Sequence, residues 1–167
     1  MEELEAMSPC ADGLAFARQC GSLKEAWDTC PEPGWLLWFA RRKEIISKPQ
    51  AVTIAVAAAA HVLPLYERKY PDDQRPRKAL AVATQWLQNP TKEAAAAAKA
   101  SADAAYAAYA YAAKAVYAGA ANAADAAANA NAADAAAYAA AAYANAEKDE
   151  KLWQGDKIRE VLGNPKL

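Results

Sequence analysis

Apolar residues recur every three or four positions through the first half of the chain, which is the period of an amphipathic helix. Two stripes are clear: Trp35, Trp38, Phe39 and Ile46 in one segment, and Leu80, Ala83, Trp86 and Leu87 in another. Their spacing predicts helices over residues 35–47 and 74–88. Nothing in the pattern calls for a strand. We therefore expect an all-α fold, a helical bundle with long alanine-rich helices in its C-terminal half.

Helix-start and helix-stop residues divide the rest of this half. Ser8-Pro9 places a capping hydroxyl before a proline, which predicts a helix start. Ser22 and Glu25 are spaced as a capping box and predict the start of a second helix. Pro49 predicts the start of a longer helix, which Pro64 kinks or ends.

The second half is dominated by alanine, which makes up 35 of the 53 residues from 94 to 146. Alanine has the highest intrinsic helix propensity, so this tract is expected to be helical, with Gly119 as a turn or kink. We predict an aromatic helical part over 1–90, an alanine-rich hairpin or projecting arm over 91–153 and a short C-terminal helix or tail over 154–167. The three parts are expected to form one domain, with Trp153 docking the tail onto the body.

The non-alanine residues decide what the tract can do. Asp103, Lys114 and Asp125 are eleven residues apart, as are Tyr106 and Tyr117. Eleven residues make about three helical turns, so such residues form a stripe nearly parallel to the axis. Tyrosine offers a large contact area at low entropic cost and is enriched at binding hot spots. The predicted partner-binding residues are Asp103, Tyr106, Tyr109, Tyr111, Tyr117, Asp125 and Asp134. In the alternative interpretation, these tyrosines are buried against the N-terminal half.

Composition excludes several functional classes. The 19 basic residues nearly cancel the 20 acidic ones, which argues against a nucleic-acid or anionic-membrane partner. Cys10, Cys20 and Cys30 are an odd set without CxxC spacing, so neither a disulfide framework nor a zinc site is indicated. The acidic N-terminus lacks the features of a signal peptide, and the apolar stretch 51–62 is too short to span a bilayer. We expect a cytoplasmic protein.

Motifs for catalysis are missing as well. The single histidine, His61, lies in the apolar segment AAAAHVLP and is interpreted as a satisfied core residue, without a second histidine at metal-binding spacing. The sequence contains no Walker A, GxGxxG or GxSxG motif. We expect no catalytic residues, no metal site and no cofactor.

Two basic clusters, Arg41-Arg42-Lys43 and Arg75-Pro-Arg77-Lys78, are the best candidates for binding phosphate. Cations near a helix C-terminus are also favoured for structural reasons, and acidic residues lie beside both clusters. If the protein instead binds a nucleotide, the alternative ligand-binding residues are Trp38, Arg41, Arg75 and Arg77.

Three segments in a fixed order, CADGLAFARQCGSLKEAWDTC, GWLLWFARR and LPLYERKYPDDQRPRKALAVATQWL, precede repeated AAYAA and AADAA units. From about Cys10 to Ala146 the chain resembles the all-α immunity protein family of bacterial polymorphic-toxin loci and phage and prophage genomes. The resemblance implies a protein without enzymatic activity that neutralises a bacterial toxin, nuclease or defence protein by direct binding. The alternative is a phage or prophage counter-defence factor that blocks a host nuclease or sequesters a signalling nucleotide. The sequence identifies neither the target nor the oligomeric state, and a homo-oligomer is compatible with it.

Overall fold

A computed structural model of the chain describes residues 2–98, 148–163 and 165. All regular secondary structure in these ranges is helical, which confirms the predicted all-α fold. The helices are α1 (Glu2–Ala6), α2 (Ala11–Gln19), α3 (Leu23–Thr29), α4 (Pro33–Arg42), α5 (Lys48–Lys69), α6 (Arg75–Gln88) and α7 (Lys148–Leu162). Residues 92–98 are helical too. The predicted turn at Gly119, and the choice between a hairpin and an arm, lie outside the described residues.

The first two helices begin differently from the prediction. The short helix α1 was not predicted at all. Helix α2 is capped by Cys10, whose Sγ accepts a hydrogen bond from the backbone N–H of Gly13 at 3.4 Å. Ser8 cannot be the cap, because its φ of 57° places it in the left-handed region, whereas a capping residue has extended backbone. The predicted start at Ser8-Pro9 was therefore wrong by two residues, about half a helical turn.

The capping box before α3 is confirmed. Ser22 Oγ accepts from the backbone N–H of Glu25 at 3.1 Å. Glu25 Oε2 in turn accepts from the backbone N–H of Gly21 at 2.7 Å, one residue earlier than in the standard box. One N-terminal donor of the short α3 and the backbone N–H just before its cap are thus satisfied locally.

Helix α4 is shorter than the apolar stripe predicted. It ends at Arg42, because Glu44 adopts a left-handed φ of 54°. The backbone N–H of Ile45 donates to the carbonyl of Ala40 at 3.0 Å, and that of Glu44 to the carbonyl of Arg41 at 3.0 Å. This is a Schellman motif, which satisfies the last carbonyls of a helix while turning the chain away from its axis.

The predictions for the longer helices have different outcomes. Of the two outcomes predicted at Pro64, a kink or an end, the end does not occur, because α5 continues through the proline to Lys69. Helix α6 begins one residue after its predicted start and ends as predicted. The short C-terminal helix or tail was expected over 154–167, but α7 begins at Lys148 and carries Trp153 and Gly155 in its interior. A single glycine costs a helix only about 1 kcal/mol, which tertiary packing can offset.

The described core has two parts with different packing. Helix α6 packs against α5, and both helices carry fully buried alanines, among them Ala55, Ala79 and Ala83. Small side chains of this kind let helix axes approach closely. The helices α1 to α4 instead contribute a cluster of large side chains. There the rings of Trp27 and Phe39 lie 6.0 Å apart.

Helix α7 joins these two parts, because it packs against both α4 and α5. Its Ile158 is fully buried in the aromatic cluster. No helix within the described ranges is both long and apolar enough to cross a membrane.

Candidate functional site

All seven residues predicted to bind a partner, from Asp103 to Asp134, lie outside the described residues. What the structure describes is how the chain enters and leaves this segment. On the entry side, Thr91 Oγ1 accepts a hydrogen bond from the backbone N–H of Ala94 at 3.1 Å and caps the helix over 92–98. Ala98, at the end of that range, is fully buried. On the exit side, the chain continues as α7.

The N-terminal part of α7 is attached to α5 by an aromatic stack. The ring of Trp153 lies on the ring of His61 with centroids 3.8 Å apart and planes within 4°. His61 Nδ1 lies 2.7 Å from Glu150 Oε2, and Glu150 Oε1 accepts from Gln154 Nε2 at 2.9 Å. The expected docking of Trp153 onto the body is thus present in the structure.

This arrangement corrects the interpretation of His61 as a core residue. Its side chain is 42% exposed, and its hydrogen-bonding partner comes from α7 rather than from the interior. The alanines around it suggested burial, but an alanine-rich stretch can be apolar on every side without being buried on every side. Gln154 beside it is 2% exposed, and its Oε1 has no hydrogen-bond partner among the described residues.

The C-terminal part of α7 is attached to the end of α3. Arg159 donates from Nε to the carbonyl of Trp27 at 3.0 Å and from Nη2 to the carbonyl of Cys30 at 2.7 Å. These acceptors belong to the last turn of α3 and its cap, where helix carbonyls lack partners and a cation is favoured. Nearer the start of the same helix, Lys151 forms an ion pair with Glu32 at 2.7 Å.

Sequence reasoning missed Arg159. Nothing in the local sequence of α7 distinguishes it from the other cations of that helix, and its acceptors are backbone groups about 130 residues earlier. The unpaired carbonyls of a helix C-terminus are a general signal, but they do not indicate which distant residue satisfies them.

The alternative ligand-binding residues lie on two helices that pack against different neighbours. Trp38 and Arg41 belong to α4, which packs against α7, whereas Arg75 and Arg77 belong to α6, which packs against α5. The neighbouring Arg42 lies over the ring of Trp38, with its guanidinium carbon 5.7 Å from the centroid.

Both arginines of α6 already hold a carboxylate with two hydrogen bonds. Arg75 donates to the two oxygens of Asp73 at 2.9 and 2.6 Å, and Arg77 donates to those of Glu67 at 2.7 and 2.5 Å. The hydrogen bonds that Arg77 donates to Glu67, followed by the negative charge of that carboxylate, raise the pKa of Arg77. A phosphate would have to displace these carboxylates.

The described residues offer little for catalysis. They contain no group of three or more His, Cys, Asp or Glu side chains arranged to hold a metal ion. Burial raises the pKa of the Cys30 thiol, which keeps it protonated at neutral pH and unreactive.

The model of a family described as "Imm-5 like putative immunity protein" matches residues 43–161, which is more than two thirds of the chain. The match covers α5, α6, nearly all of α7 and the whole alanine-rich tract, and it begins just after α4. No curated protein and no solved structure matches the chain.

Proposed function

Because the chain belongs to the family of Imm-5 like immunity proteins, we propose that it neutralises a bacterial toxin, nuclease or defence protein by direct binding. The observation that carries this proposal is the extent of the family match. It includes the tract over residues 99–147 together with the helices before and after it. Inhibition by binding needs a recognition surface but no catalytic group, in agreement with a sequence that lacks catalytic motifs.

The proposed recognition surface is the set of tyrosines and aspartates in the alanine-rich tract. Tyr106, Tyr109, Tyr111 and Tyr117 would supply contact area, since tyrosine rings are large and lose little conformational entropy on binding. Asp103 and Asp125 each lie eleven residues from Lys114. Their negative charges would select a partner with basic groups at matching positions.

The attachment of α7 supports this proposal in one respect. The stack of Trp153 on His61 and the hydrogen bonds of Arg159 hold the chain where it leaves the tract. A recognition segment whose ends are held by a folded body loses less conformational freedom on binding than a free segment, so more of the contact energy appears as affinity.

The experiment begins with affinity capture by the tagged protein from a lysate of its natural host. A captured protein supports the proposal only if it arrests bacterial growth when expressed alone and if co-expression of the immunity protein restores growth. Purified together, the two proteins should form a stoichiometric complex. A captured protein that is harmless on its own would contradict neutralisation.

The recognition surface is tested with two matched sets of substitutions in the same tract. The test set replaces Tyr106, Tyr109, Tyr111 and Tyr117 by alanine. The control set replaces Tyr138 and Tyr143 by alanine. We expect the test set to abolish binding and growth rescue while circular dichroism reports unchanged helicity. The control set should retain both. Binding that survives in the test set would mean that the tyrosines serve as scaffold.

A further inference from the structure

An apolar cavity lies within the N-terminal helices, outside the segment matched by the family. Its volume is about 320 Å³, and residues of α2, α3 and α4, together with Leu4 of α1, form most of its wall. Five aromatic side chains contribute to that wall: Phe16, Trp27, Trp35, Trp38 and Phe39. Every described lining residue precedes Lys43, where the family match begins, so the proposed neutralising function does not assign this cavity.

The lining has no charge to offer a ligand. None of the fifteen described lining residues is acidic or basic. Its two thiols already have hydrogen bonds within the protein, since Cys30 donates to the carbonyl of Glu32 and Cys10 accepts from the backbone N–H of Gly13. An ionised group in contact with these lining side chains would lose part of its hydration without gaining a counter-charge from any of them. The chemistry of the wall therefore selects an uncharged molecule.

The size of the cavity limits the ligand further. A cavity of about 150 Å³ lined by Leu, Ile and Phe stays free of water and binds benzene. The present cavity has about twice that volume, which corresponds to two fused rings rather than one. Its aromatic walls favour stacked or edge-to-face contacts with such rings.

One glycine of the cavity wall lies next to open space. Gly34 lines the cavity near the start of α4, and a Cβ added there would meet no atom within 4 Å. Gly13 on the opposite helix differs, because its Cβ would approach Cys10 Sγ at 3.2 Å and the ring of Trp35 at 3.5 Å. A larger side chain at Gly34 is therefore expected to narrow the cavity without a steric conflict.

From this combination of volume, aromatic lining and missing charge, we propose that the cavity between α2, α3 and α4 binds a small, uncharged, two-ring aromatic molecule.

The first test compares naphthol with naphthalenesulfonate, which share the same rings and differ in charge. Isothermal titration calorimetry on the full chain should give saturable binding of one naphthol per chain. The sulfonate should bind at least about tenfold more weakly, because its charge has no counter-ion in the cavity. Equal binding of the two compounds, or no saturable binding of naphthol, would overturn the proposal.

A second measurement locates the site at which naphthol binds. Cys10 is exposed and lines the cavity, whereas Cys20 is half-buried and does not. Saturating naphthol should slow the alkylation of Cys10 by N-ethylmaleimide several-fold and leave that of Cys20 unchanged, as measured by mass spectrometry. Equal effects on both cysteines would mean that naphthol binds elsewhere or acts on the whole fold, which would overturn the proposed site.

The third test fills the cavity. Gly34→Leu should weaken naphthol binding by about tenfold or more. Ala81→Leu, at an exposed position of α6, should bind naphthol like the wild type. If Gly34→Leu fails to fold, Gly34→Ala adds only a methyl group and should show a smaller loss in the same direction. If Gly34→Leu abolishes capture of the partner protein but naphthol never binds, a partner side chain occupies the cavity, and the small-molecule proposal is wrong.

Discussion

His61 of α5 and Trp153 of α7 lie face to face, with ring centroids 3.8 Å apart and planes within 4° of parallel. The two residues are 92 positions apart in the sequence, and the alanine-rich tract lies between them. Their contact therefore joins the helix before the long segment to the helix after it, and that segment contains every predicted partner-binding residue. The only histidine of the chain serves here as an aromatic platform for the helix that follows the tract.

This relationship predicts a measurable coupling between the two rings. His61→Ala and Trp153→Ala should each lower the free energy of unfolding, and the double variant should lose less than the sum of the two. Aromatic pairs typically contribute about 1 kcal/mol beyond their buried area, so the coupling is expected near that value. Urea denaturation followed by circular dichroism measures it. Strict additivity would mean that the rings do not stabilise each other.

Arg159 is predicted to be the most sensitive cation of α7. Arg159→Met leaves the carbonyls of Trp27 and Cys30 without their charged donor, and removing hydrogen bonds of this kind costs about 2 to 3 kcal/mol. Lys157→Met is the matched control, because among the described residues Lys157 pairs with Glu160 alone, one turn away on the same helix. The control should change stability by about 0.5 kcal/mol or less. Similar losses in both variants would show that Arg159 acts only through its charge.

The buried alanines of α6 should not tolerate larger side chains. Ala83 is fully buried, so Ala83→Leu must displace its neighbours or force strained rotamers, at a cost of about 1 to 3 kcal/mol. Ala81→Leu makes the same change at an exposed position two residues earlier and should be nearly neutral. Thermal unfolding compares the two variants. A neutral Ala83→Leu would mean that the helices are less closely packed than the structure indicates.

The burial of Cys30 predicts a loss of folding stability at high pH. Burial raises the pKa of its thiol above the ordinary value of 9.0 in the folded protein, whereas the unfolded chain retains that value. Below pH 9.0 the thiol is protonated in both states and does not affect the balance. Above it, the unfolded chain releases a proton that the folded protein retains, so stability falls as the pH rises.

Other groups also titrate in this range, among them Lys48, whose pKa burial lowers. The prediction is therefore a difference between two proteins measured side by side. The free energy of unfolding of the wild type minus that of Cys30→Ala should stay constant up to about pH 9 and decline above it. A difference that stays constant up to the pH at which the protein unfolds would contradict the effect of burial.

Much of the local structure could be predicted from the sequence because its causes are local. Ser22 caps α3 through a residue three positions away, and the stripe of Leu80 and Trp86 predicted α6 to within one residue. Where local rules failed, the backbone had taken a conformation that the residue type does not favour. Ser8 and Glu44 both have positive φ, and these two residues changed the start of α2 and the end of α4.

The sequence by itself determined that the protein is helical, that its charge is balanced and that its family is one of immunity proteins. Those conclusions depend on periodicity, composition and the order of motifs, all of which are properties of neighbouring residues. Only the tertiary structure decided that His61 stacks on Trp153, that Arg159 donates to the carbonyls at the end of α3 and that aromatic residues of α2, α3 and α4 line one cavity. These features join residues on separate helices, and no local preference specifies which helices will meet, because their packing depends on the shape and burial of the whole chain.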